Sequence, residues 1–136
     1  MRVLSELQRL HGQILANLDE LEALTALGEP PMHRLSAVRL ALTRASRART
    51  MLLDRLYPTL IAGAGAADRA VLERLRGEAK DNLVTSVNHI GNWTVREITA
   101  RWADYCTASH ALRAAMRDRI AREIAVVYPL LADRAA

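Results

Sequence analysis

Apolar residues recur along this chain at helical spacing almost from its start. Leu4, Leu7, His11, Ile14, Leu18 and Leu21 alternate steps of three and four, which places them on one stripe of an amphipathic helix. Gly28 should end that helix, and Pro30-Pro31 prevents its continuation. A second helix is expected from about Pro31, a residue suited to a first helical position, with a stripe of Leu35, Val38, Leu42, Ala45, Leu52, Leu56 and Leu60. The Gly63-Ala64-Gly65 stretch breaks it. A third runs from about Ala67 to His89 with Leu72, Leu75, Ala79, Leu83, Val87 and Ile90 facing inward, and Gly91-Asn92 marks its end.

Thr94 followed by Glu97 reads as a capping box that opens another helical segment. That segment carries Trp102, Tyr105, Leu112, Met116, Ile120, Ile124, Val127 and Leu131, and is too long for one helix of a small bundle. A break near Asp104, a good N-cap, would leave Thr94 to Trp102 as a short crossing helix. No stretch alternates apolar and polar residues as a strand would. The reading is an all-α fold: an antiparallel up-down-up-down four-helix bundle with a short extra crossing helix, in one domain spanning 1–136.

Composition agrees. With 51% apolar and 25% charged residues the chain is an ordinary globular sequence, and its 136 residues suffice for one core. No apolar run approaches the ~20 residues that span a bilayer, and charges interrupt MRVLSELQRLHGQ too often for a signal peptide. The lone Cys106 rules out an internal disulfide and Cys-based zinc motifs are absent, so a cytoplasmic protein with no membrane partner is expected. Lys80 is the sole lysine among 19 basic residues and Phe is absent, which points to a GC-rich bacterial genome. The net charge of +4 allows an acidic partner without requiring one.

An internal echo supplies the most specific signal. LLDRLYPTL (Leu52 to Leu60) and EIAVVYPLL (Glu123 to Leu131) both place Tyr-Pro after an apolar residue and before a leucine, 71 positions apart, each at the end of a helical hairpin. Read plainly, Pro58 and Pro129 terminate their helices with Tyr57 and Tyr128 at the bundle rim. The same features make the chain similar to the hemerythrin-like, or HHE cation-binding, family along nearly its whole length. The resemblance implies two irons in the bundle core. They would be held by a His on the first helix, a His-x3-Glu before the first Tyr-Pro, and the same set in the second half. Carried over, His11 and Glu123 match. Ala48, Leu52, Ala79 and Arg119 stand at the other positions, and Ala and Leu cannot bind metal.

The resemblance therefore implies a hemerythrin-like bundle without a di-iron site, serving as a binding or regulatory module. It is not expected to be an enzyme or to carry a cofactor. A residual iron protein using His11 and Glu123 is the alternative. Arg119 and Glu123, four apart on one helix, form either a surface ion pair or a core polar pair in which the guanidinium takes the place of a metal. His11 reads first as a buried structural histidine.

His110, in SHALRAA, resembles the phosphorylated His of histidine phosphotransfer bundles, with Arg113 and Ala114 where that signature has Lys and Gly. A solvated histidine is the plainer reading, and His89 reads as a C-terminal residue favourable to the helix dipole. Arg34, Arg39, Arg44, Arg47, Arg49 and Arg55 make the second helix basic, but no aromatics interleave to stack bases, so nucleic acid is not an expected partner. Trp93 and Trp102 read as a hydrophobic lid on one bundle end. The partner is an unnamed protein or small molecule, and a homodimer is compatible with the sequence.

Overall fold

A computed structural model describes residues 2–135; Met1 and Ala136, the ends of the domain expected over 1–136, lie outside it. The described residues form five helices and no strand: α1 Arg2–Thr25, α2 Met32–Gly63, α3 Ala66–Asn92, α4 Val95–Ala100 and α5 Trp102–Ala135. α1 packs on α2 and α5, α3 packs on the same two helices, and α4 leans on α5.

The α1 stripe is buried throughout: Leu4, Leu7, Leu10, His11, Ile14, Leu18, Leu21 and Leu24. Each leucine so placed contributes roughly 1.5–3 kcal/mol relative to an exposed one. The helix stops at Thr25, three residues before Gly28, and the Thr25 hydroxyl donates back to the Leu21 carbonyl at 2.9 Å. α2 begins one residue after Pro31 and ends at Gly63. At Thr94 the capping side chain accepts from the Glu97 amide at 3.3 Å.

The break before α5 falls at Arg101 and not at Asp104. Arg101 leaves helical backbone (φ −135°, ψ 54°), its carbonyl accepts the Tyr105 amide at 2.9 Å, and the Trp102 indole donates to the Leu27 carbonyl at 3.0 Å. That anchor fixes where α5 restarts and leaves Asp104 in its first turn, favourable to the dipole.

Pro58 and Pro129 lie inside α2 and α5 and terminate neither. Both face solvent, as do Asp54 and Ala125, whose carbonyls lose their i+4 donor, so water can replace the missing bond. Tyr57 is fully buried and Tyr128 half-buried, not at a rim.

The largest correction concerns α3. Leu72 and Leu75 are buried, but Leu83, Val87 and Ile90 are exposed by 51%, 57% and 45%. The stripe continues past the point where α2 and α5 still cover it. Ile124, expected inward on α5, is also exposed, because Glu123 takes the buried position beside it.

The core is divided. One apolar cluster gathers Ile14, Leu18, Leu35, Leu42, Trp93, Ile98, Tyr105 and Ile120; the other gathers Leu4, Leu7, Leu52, Tyr57, Leu72 and Val127. On α1 the first sits beyond His11 and the second before it. On α5 Ile120 belongs to one and Val127 to the other, with Glu123 between.

Candidate functional site

The residues between the two clusters are charged or polar. His11, Arg49, Arg119 and Glu123 are all at least nine-tenths buried, and Glu123 is wholly so. Helical periodicity delivers each. His11 lies on the α1 stripe, Arg49 follows Ala45 by one turn on α2, and Arg119 and Glu123 are one turn apart on α5.

Glu123 is the centre. Its Oε1 accepts from His11 Nε2 at 2.7 Å and lies 3.8 Å from Arg49 Nε; its Oε2 lies 2.9 Å from Arg119 Nε. The last contact is an ion pair without hydrogen-bond alignment, so Oε2 and Arg119 Nε both lack a hydrogen bond among the described residues. Nε2–H of His11 donates to the carboxylate, and Nδ1 shares a hydrogen bond with the Tyr128 hydroxyl, 2.5 Å away. Arg119 Nη2 also donates to the Leu75 carbonyl at 3.4 Å, tying the layer to α3.

The charges govern titration. Burial pushes the Glu123 carboxyl up, but the His11 hydrogen bond and the charges of Arg49 and Arg119 outweigh it and hold it below its ordinary value. Burial lowers the Arg49 guanidinium, against the opposing pull of Glu123. Tyr57 is pushed up to about 12 by burial and then by the nearby carboxylate. Tyr128 is raised for the same two reasons.

These residues do not fit a pair of irons. His11 and Glu123 already bond each other, and the groups facing the carboxylate are two guanidinium ions, which offer no lone pair and repel a cation. Of the other ligand positions, Ala48 faces solvent, Leu52 is buried and apolar, and Ala79 is half-buried. Among the described residues no three His, Cys, Asp or Glu side chains converge.

The remaining sequence-derived candidates lie elsewhere. His110 is exposed on α5; Arg113 turns into the core instead and donates to Ser109 Oγ at 2.6 Å. His89, in the last turn of α3, is 5.9 Å from the Tyr105 ring, and burial followed by the Arg39 charge lowers its pKa. Trp93 and Trp102 both pack on Tyr105, at 5.5 and 5.7 Å, closing the end near α4. Arg39 donates to the Trp93 carbonyl there at 2.8 Å.

Two site residues went unnoticed in the sequence. Arg49 belongs to the basic run of α2, yet it sits between Ala45 and Leu52 where the stripe needs an inward residue; Arg34, Arg44, Arg47 and Arg55 face solvent. Tyr128 was visible in the Tyr-Pro repeat, but its reach to a histidine on another helix was not. Compared with protein-family models, curated proteins and solved structures, the chain matches none of them.

Proposed function

We propose that this chain is a hemerythrin-like, antiparallel up-down-up-down four-helix bundle whose metal centre has given way to an ionic network, and that it acts as a non-catalytic binding or regulatory module. Short connections between neighbouring helices, residues 26–31 and 64–65, favour antiparallel pairing, and α4 is the crossing piece. The observation that carries the functional reading is the placement of Arg49 and Arg119 around Glu123. Guanidinium charge there does the neutralising work that a cation would do in a metal-binding bundle. Nothing about the layer supplies a nucleophile with a base: its one carboxylate is engaged from both oxygens and its histidine from both nitrogens.

The competing reading is a residual iron protein on His11 and Glu123. Elemental analysis after aerobic reconstitution with ferrous iron separates them. Protein purified without chelator should hold well under one iron per chain, and circular dichroism should be unchanged by excess EDTA. Two irons per chain with an oxo-bridge absorption band, or a melting temperature that collapses on chelation, would overturn the proposal.

A further inference from the structure

Between α2, α5 and the outer half of α3 lies an open cavity of about 510 Å³, a size typical of small-molecule sites. It follows the helices from Arg39 to Arg49 and beyond on α2, from Tyr105 to Arg119 on α5 and from Ile90 to Ala79 on α3. At the helical rise, Arg39 to Arg49 spans about 15 Å. The walls are largely apolar: Leu42, Leu83, Val87, Ile90, Leu112 and Met116. Leu83, Val87 and Ile90 are exposed apolar residues of α3, so a ligand there would cover apolar surface that the fold leaves in water.

One end of the cavity is different. Arg49 and Arg119 line it, both more than nine-tenths buried, and Arg49 Nε and Nη1 and Arg119 Nη1 have no hydrogen-bond partner among the described residues. Ser46 Oγ, also in the lining, is equally unpartnered. Buried donors without acceptors are costly, and charged ones most of all. Two guanidinium ions face one carboxylate and leave positive charge uncompensated. Among the other lining residues Arg39 and Arg47 add positive charge, and Asp54 is the one acid.

We infer that this cavity binds a medium-chain aliphatic carboxylate, its head group on Arg49 and Arg119 and its chain along Leu83, Val87 and Ile90. A carboxylate matches the planar fork of a guanidinium and satisfies several donors at once. Its negative charge offsets the excess in the layer. An extended chain of roughly ten carbons suits the ~15 Å run of apolar wall. The inference gives the binding module proposed above a ligand class, yet it stands on the cavity and its unpaired donors. Iron content and ligand binding are therefore measured separately, and either can fail alone.

The test is calorimetric titration of the full chain with decanoate below its micellar concentration, beside decanol and acetate. Decanoate should bind at one per chain and raise the melting temperature. Decanol should bind at least about tenfold more weakly and acetate not detectably, since charged hydrogen bonds contribute that much. Arg49→Met should weaken decanoate at least about tenfold while narrowing its advantage over decanol.

Because Arg49→Met also disturbs Glu123, Leu83→Glu provides a second variant. Position 83 is half exposed, so the fold should hold, while a negative charge on the wall should abolish decanoate binding. Equal affinity for decanol and decanoate would overturn the inference, as would undiminished binding in Leu83→Glu or no binding at all. So would sedimentation showing that this face closes on a second copy of the chain and excludes the ligand.

Discussion

Removing Arg119 would leave Glu123 wholly buried with His11 at 2.7 Å and Arg49 at 3.8 Å. Breaking one partner of a buried ion pair costs ~3–5 kcal/mol, whereas a surface pair is worth under ~1. Arg119→Met keeps the apolar stem, so lost packing contributes little, and the two remaining partners put the expected loss at roughly 3 kcal/mol. Adding Glu123→Gln should recover part of it, with a coupling of about 1 kcal/mol or more in urea melts of the four variants. Additive losses under about 1 kcal/mol would contradict the ionic network.

The pH dependence follows from the direction of the Glu123 shift. Its folded carboxyl titrates below its ordinary value, so its contribution is present above the unfolded pKa and disappears as pH falls through the folded one. Without Arg119 the folded pKa rises, and the gap between variant and wild type should narrow from about pH 8 to about pH 4. The pairing of Arg119 with Glu123 was legible as i,i+4 spacing. Its burial was not, because the same spacing serves a solvated face equally well, and Arg49, which settles the layer's charge, comes from another helix.

Helix α3 shows where periodicity stops being informative. Leu72, Leu75, Leu83, Val87 and Ile90 make one continuous stripe, yet only its first part is covered. A stripe records which side of a helix is apolar; whether a neighbour reaches it depends on how the helices lie, which spacing does not encode. The N-cap at Thr94 was legible because its residues are local, although the Glu97 carboxylate pairs with Arg101 and does not close a capping box; the Arg101 break depends on Trp102 reaching Leu27.

The two halves of α3 should respond differently to truncation. Leu72→Ala should cost about 2–5 kcal/mol, and Leu83→Ala should stay within about 0.5. Gly77 lies between these halves, and a Cβ built there meets nothing within 4 Å. Gly77→Ala should therefore stabilise by roughly 0.5–1 kcal/mol. Hydrogen exchange should show amides after Gly77 opening more readily than those around Leu72, with the Ala variant slowing them. Uniform protection along α3 would contradict this division.

Across the whole molecule, a charged layer separates two apolar clusters that could have formed one core. Among the described residues no helix is long and apolar enough to cross a membrane, and most of the apolar stripes are buried between helices. A layer of four buried polar side chains interrupts that burial, and some of their N–H groups lack partners. Replacing a buried ionic group as a unit with apolar residues of similar size is often neutral, or stabilising by ~1–4 kcal/mol, because the desolvation cost of the charges goes with them. The fourfold variant His11→Leu, Arg49→Met, Arg119→Met and Glu123→Leu should thus melt in urea at or above the wild-type midpoint. Tyr128, half exposed, can exchange His11 for water.

Arg119→Met and Glu123→Leu alone should behave in the opposite way, since each removes one side of the 2.9 Å ion pair and leaves the other buried without it. The contrast between one substitution and four is what distinguishes a layer kept for recognition from one kept for stability. If the layer serves recognition, the fourfold variant gains or holds stability and loses decanoate binding together. A fall of several kcal/mol in the fourfold variant would assign the layer to the fold itself. Retained decanoate binding in a stable fourfold variant would move the ligand's head group away from Arg49 and Arg119.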